Sequence, residues 1–505
     1  MAKKRQTQFR RNAARVLALI LALLLIGGAI FSGVMVALGE EGPEQPARYQ
    51  VSAIQLDSAT WQIHCEITYT NATGNALTGV LFSMYANQLR RESALVAEAD
   101  ELEAMFPAGY APGGVEFSRI TVNGVPAAWG MQGTEEEFLR VGCDLQPGET
   151  AVFGFDYALL MIQSRGYIGY SDDDVRLTGF LPGLAVWEGD EFYANAASAI
   201  DRYAYQEAAD YALDVTALDW YELAAPGEVT AGEAADGYRT WRVEAQGVRE
   251  FALTLSGKYR TEAVTSELGT RILVKGSNRS GVRQAAQTAK SAIDLLEGWL
   301  GRAPYAQITI AAADLVSESR SFGGLIWIPA ERFERGGRDA LEHDVIYCLA
   351  QQFFGMGAGN DPVQAPWLSA AVPEFLYYLT IDAQQGRDAM LSALNADCLS
   401  SLLVTMPGGY EVDASLTAFD SRSDYETIVI HRGAAALYLI REGMGEDAFL
   451  SGLANFYQTW NGKIAGLQPF VEAFNEATGR EWDLLIVDSL YTIDDYQGVL
   501  INWFE

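Results

Sequence analysis

VIYCLAQQFFGMGAGNDPVQAPWLSAAVPEFLYYL, residues Val345 to Leu379, is the stretch on which the reading of this chain turns. Its first part continues a helical pattern that begins near Asp339 and runs to Gly355. Tyr347 and Gln351 stand four apart, so on a helix they share one face, one turn above the other. A second element opens at Trp367 and carries Pro373 inside it. Proline has no backbone N–H to donate, which predicts a helix that starts near Pro373 or kinks there.

The stretch resembles the zinc-site segment of the aminopeptidase N-type metallopeptidases, the gluzincin clan. That family carries H-E-x-x-H on a helix, then Q-W-F-G, then W-L-N-E-G-F-A-E-Y. Here Gln352-Phe353-Phe354-Gly355 stands in place of Q-W-F-G, and Trp367-Leu368 in place of W-L. The resemblance puts Tyr347 and Gln351 at the two His positions and Cys348 at the general-base Glu. Ala370, nineteen residues after Gln351, takes the third ligand position. Zinc in a catalytic site takes three protein ligands of the His or carboxylate kind and keeps one position open for water. Tyr and Gln are poor zinc ligands, Ala is none, and Cys348 points the wrong way to replace both His. The expectation is a chain with no zinc, no metal site and no catalytic residues, built on the spacing of a zinc enzyme.

The same resemblance reaches other positions. Phe322-Gly323-Gly324-Leu325-Ile326-Trp327 stands where the family has G-A-M-E-N or G-G-M-E, whose Glu binds the substrate's α-amine; Ile326 takes that place. Tyr425 to Leu439 resembles the family's tyrosine-x-lysine-glycine-alanine helix. Ile430, three before Gly433, replaces the Tyr that donates to the tetrahedral intermediate, and Arg432 takes the Lys position. Glu374 matches the second Glu of N-E-G-F-A-E and is expected to serve as a structural hydrogen-bonding partner. The vestigial cleft positions are therefore Ile326, Tyr347, Cys348, Gln351, Ala370, Glu374 and Ile430. A Cys348 nucleophile is the alternative chemistry. Its candidate bases are His431, about 100° around a helix from Ile430, and His343, five before Cys348, and both read as off-face.

Composition bounds the partners. The 505 residues carry a net charge of −31, and residues 1–15 alone hold six cationic side chains and no acid, so the remainder carries −37. That excess of acid argues against a nucleic-acid partner. Val16 to Leu38 is a run of 23 residues without a charge, behind the basic segment and ahead of Glu40, Glu41 and Glu44. About 20 apolar residues cross a bilayer as a helix. The positive-inside bias then leaves the N-terminus cytoplasmic and the bulk extracytoplasmic in a single-pass membrane protein. A cleaved signal peptide is the competing reading, with Ala37-Leu38-Gly39 as its cleavage site. Four cysteines show no C-x-x-C spacing; Cys65 and Cys143 either pair within one β domain or remain free thiols.

The rest of the chain divides by pattern. Trp61, Ile63, Cys65, Ile67 and Tyr69 alternate with Gln62, His64, Glu66 and Thr68, the period of a half-buried strand. Similar alternation and turn signals such as Asn123-Gly124 recur to about Tyr259, and the stretch resembles the N-terminal β domain of membrane-anchored bacterial members of the family. Gly281 to Leu300 has helical periodicity. The fold class expected is α+β and multidomain. A basic tail (1–15), a transmembrane helix (16–38) and a linker (39–48) precede an antiparallel β-sandwich (49–260). A thermolysin-like gluzincin domain (261–380) follows, running into an all-helical region (381–505).

These readings converge on a membrane-anchored, extracytoplasmic pseudopeptidase that binds or scaffolds; a hydrolase with altered ligands is the alternative. The old cleft either collapses into a packed core or survives as an apolar groove. The groove is favoured, with Gly323, Gly324 and Trp327 forming an edge that takes an extended peptide or protein segment.

Overall fold

The computed structural model describes residues 46–491, apart from 92–98, 173, 196–199, 201–203, 317, 335–336 and 399–410. The expected membrane span Val16–Leu38 and the basic tail lie outside the described residues. Among the described residues no helix is long and apolar enough to cross a membrane.

The strand Thr60–Thr70 has the alternation its sequence implies, with Trp61, Ile63, Cys65, Ile67 and Tyr69 buried. It lies inside an eight-stranded sheet. The order is 228–231, 238–248, 209–218, 47–55, 60–70, 150–160, 114–122 and 125–126. The sheet is not purely antiparallel, which corrects the sequence reading. Ala47–Gln55 runs parallel to Ala209–Leu218, with Tyr49 opposite Tyr211 and their rings stacked at 4.5 Å. A parallel pair needs a long crossover, and here the intervening residues build most of the domain. The first strand starts at Ala47, within the stretch read as linker. Leu77–Ser83 and Phe138–Leu145 pair in a second sheet. Phe82 closes the layers, its ring 5.4 Å from Phe153 and 5.3 Å from Phe155. Cys65 and Cys143 are both free thiols.

The second part is built on a five-stranded sheet ordered 260–265, 271–276, 307–313, 325–329 and 320–322. Helix α1 (Arg279–Leu300) covers it with Val282, Ala285, Ala286, Ala289, Ile293 and Leu296 buried, the face its periodicity marks out. Asn278 caps it, Oδ1 accepting from the amides of Ser280 (3.0 Å) and Gly281 (3.1 Å). Helix α2 spans Arg338–Phe353 and helix α3 spans Trp367–Gln385. Pro373 neither starts nor ends α3, which opens six residues earlier. The carbonyl that Pro373 cannot serve belongs to Ser369, four residues back. Beyond α3 the described chain is helical, and 426–432 is a π-helix.

Candidate functional site

Residues 343, 347 and 351 recur every four positions along α2 and so line one stripe of it. Across from that stripe lies α3. Gln351 Nε2 donates to the Ser369 carbonyl at 2.9 Å. At the other end of the stripe, His343 Nε2 lies 2.9 Å from Glu374 Oε2. The two links join residue 343 to 374 and 351 to 369, so the helices run antiparallel across the seam. Between the links stand Tyr347 on α2 and Ala370 on α3, both at positions that the resemblance matches to zinc ligands.

His343 is held on several sides. Its ring lies near-parallel to Tyr347, at 12° with centroids 5.6 Å apart, and meets Tyr377 edge-on at 4.6 Å. Nδ1 faces Asp344 Oδ1 at 3.7 Å. Burial opposes the charged ring, but the carboxylates of Glu374 and Asp344 outweigh it and push the imidazole pKa up to about 10. Glu374 moves the other way. Burial would raise it, yet the charge and hydrogen bond of His343, the more distant charge of His431 and a hydrogen bond from Tyr378 hold its pKa below the usual carboxylate value. His343 and Glu374 are therefore an imidazolium–carboxylate pair at neutral pH.

The sequence reading weighed His343 only as a base for Cys348 and set it off-face. Measured from Cys348 it is off-face; measured from Tyr347 it lies one turn away on the ligand stripe. The spacing that relates Tyr347 to Gln351 relates His343 to Tyr347 as well, and Ala370 to Glu374 on α3. Both members of the pair thus sit one helical turn from positions that the resemblance matches to ligands, on the same side.

The remaining candidate residues pack. Ile326, Cys348 and Ala370 are buried in one continuous hydrophobic cluster, with Tyr347 and Ile430 partly buried against it. Burial pushes the Cys348 thiol well above its ordinary pKa, as does the nearby charge of Asp344. The edge expected at Gly323, Gly324 and Trp327 is covered, contrary to the groove favoured from sequence. Leu325–Pro329 is an inner strand; Arg320–Phe322 is the edge, and it is buried too. Gly323 N–H donates to the Arg249 carbonyl (3.1 Å), and Gly324 N–H to Gln352 Oε1 (2.9 Å). A Cβ on Gly323 would stand 2.8 Å from Tyr305 Oη and 2.9 Å from the Arg249 amide nitrogen. Trp327 is fully buried against Phe322. The physical reason is that the β domain, through Val248 and Arg249, closes over the turn where a peptide would have to lie.

No protein-family profile matches the chain, and no characterised protein matches it in sequence. Its architecture does match solved structures. An M1 zinc metallopeptidase from Deinococcus radiodurans superposes with a TM-score of 0.65 at 16% identity, covering 91% of this chain and 96% of that one. A glutamate-to-alanine variant from the same organism, bound to a Tyr-Ser-Ala substrate, gives 0.64 at 16% identity over 90% and 96%. This chain has the fold of the M1 zinc metallopeptidases. At that identity the likeness establishes fold alone.

The zinc such a fold carries does not fit the residues present. Gln351 offers only a neutral carboxamide oxygen, Ala370 offers a methyl group, and Tyr347 is no ordinary zinc ligand. Among the described residues no group of three or more His, Cys, Asp or Glu side chains is arranged to hold a metal ion.

Proposed function

We propose that this chain is a non-hydrolytic protein on the M1 metallopeptidase fold, a binding or scaffolding module anchored in the membrane through Val16–Leu38 with its bulk extracytoplasmic. The observation that carries this reading is the set of side chains at the chemical positions. Ile326 stands at the amine anchor, Cys348 at the general base, and Tyr347, Gln351 and Ala370 at the ligands. Ile430 stands where the oxyanion donor would be. Each would remove one function, and Ile326, Cys348 and Ala370 are packed into one hydrophobic cluster. A Cys348 nucleophile is disfavoured by the buried, proton-holding thiol. The partner is a protein or peptide segment, held away from the Gly323–Gly324 turn, whose amides are already engaged.

The test is direct. The purified full chain, supplied with zinc, should cleave no aminoacyl or short peptide substrate and should hold well under one zinc per chain. Stoichiometric zinc with chelator-sensitive hydrolysis overturns the proposal.

A further inference from the structure

In a zinc peptidase of this fold the metal ties two helices together, two donors from one and one from the other. Here those helices are α2 and α3, and the seam between them holds two links that need no metal. One is the Gln351 amide on the Ser369 carbonyl, the other the His343–Glu374 pair, each at 2.9 Å. They stand on either side of Tyr347 and Ala370, two of the three positions matched to ligands, and the third, Gln351, makes the first link itself.

The first link has a partner that explains its chemistry. In a regular α-helix the carbonyl of residue 369 accepts from the N–H of residue 373. Residue 373 is proline, so that donor does not exist. Ser369 is buried, and a buried carbonyl without a donor is costly. Gln351 supplies the donor from the neighbouring helix. A proline in the second turn of α3 and a glutamine at the second His position are two halves of one substitution. The second link is a side-chain ion pair, in which His343 engages a Glu that the resemblance matches to one of the family's own. Tyr347, at the first His position, lies along the His343 ring, which itself points its Nε2 at Glu374.

We propose that the α2–α3 cross-link made by a metal elsewhere in this fold has been rewritten within the protein, as the matched pairs Gln351–Pro373 and His343–Glu374. The seam is a metal-independent clasp, and Pro373 commits the chain to it. This rests on the reading of an abandoned zinc position and goes beyond it, because loss of the metal alone would not require either pair.

Hydrogen exchange of the full chain reads the seam locally. Gln351→Met keeps the volume and drops the donor, and should speed exchange of the first turns of α3 by about tenfold or more. In a Pro373→Ala background the helix recovers its own donor, and the same change should have an effect of less than about threefold. His343→Gln and Glu374→Gln should each loosen the seam, with the double variant no looser than the worse single one. Chelator should change nothing. Additive effects in either cycle, with chelator inert, overturn the clasp and leave the proposed function standing. Faster exchange on adding chelator overturns both.

Discussion

The substitution Ile326→Glu places an acid where the resemblance matches the α-amine-binding Glu of the aminopeptidases, and the structure assigns it a large cost. Ile326 is fully buried, lying between Ile310 on one neighbouring strand and Ser321 on the other. Removing a fully buried isoleucine forfeits about 1.5–3 kcal/mol of burial. The carboxyl placed there meets apolar surroundings and adds about 1–3 kcal/mol for an unsatisfied polar group. The sum, roughly 2.5–6 kcal/mol, should appear in urea unfolding as a lowered midpoint at unchanged slope. Ile326→Val, as the control, should cost about 0.5–1.5 kcal/mol. A second signature follows from linkage. The buried carboxyl would have a raised folded-state pKa, so its cost should shrink as the pH falls toward the unfolded-state value of about 4.3. In an open cleft the same residue would be solvated and cost under about 1 kcal/mol, with no such pH dependence. That result would refute the packed seam and return the groove to consideration.

Further expectations can be checked separately. The His343 pKa is raised to about 10, so its contribution to stability is whole below the unfolded value near 6.5 and is lost as the pH rises through 10. Glu374 is lowered, so its contribution is whole above about 4.3 and is lost as the pH falls through its folded value. One interaction underlies both, flanked by His431 and by Asp344, which lies 3.5 Å from Arg332 Nε. With the ring 36% exposed, solvent screening brings it down to about 1 kcal/mol, read as the difference between wild type and His343→Gln from pH 6.5 to 10. Cys348 should resist thiol reagents until the chain unfolds, and Cys348→Ala should leave any trace hydrolysis unchanged. Gly323→Ala should destabilise the chain by about 1–3 kcal/mol, because the added methyl meets backbone at Arg249; a neutral substitution would mean the turn is loosely covered. External protease on intact cells should digest the bulk of the protein; full protection would overturn the anchored, extracytoplasmic topology.

Local pattern alone determined a good deal. Alternation marked the strand Thr60–Thr70 and periodicity marked α1, because burial on one face leaves a period of 2 or 3.6 in the residues themselves. The resemblance of Val345–Leu379 to a zinc-site segment implied the metallopeptidase fold that the solved structures share, because a motif with its spacing is carried by one short stretch of chain. What the chain does with the vacated space is set between elements, and it was decided only in three dimensions. The parallel pairing of Ala47–Gln55 with Ala209–Leu218 joins segments about 160 residues apart, which no local period reports. The cover over Gly323 comes from Arg249, in a different domain. Pro373 looked like the start or kink of a helix; its missing hydrogen bond is made good by Gln351 from across the seam. His343 and Glu374 were both visible in the sequence, but a contact between two helices depends on their relative height and rotation, and those are fixed by packing.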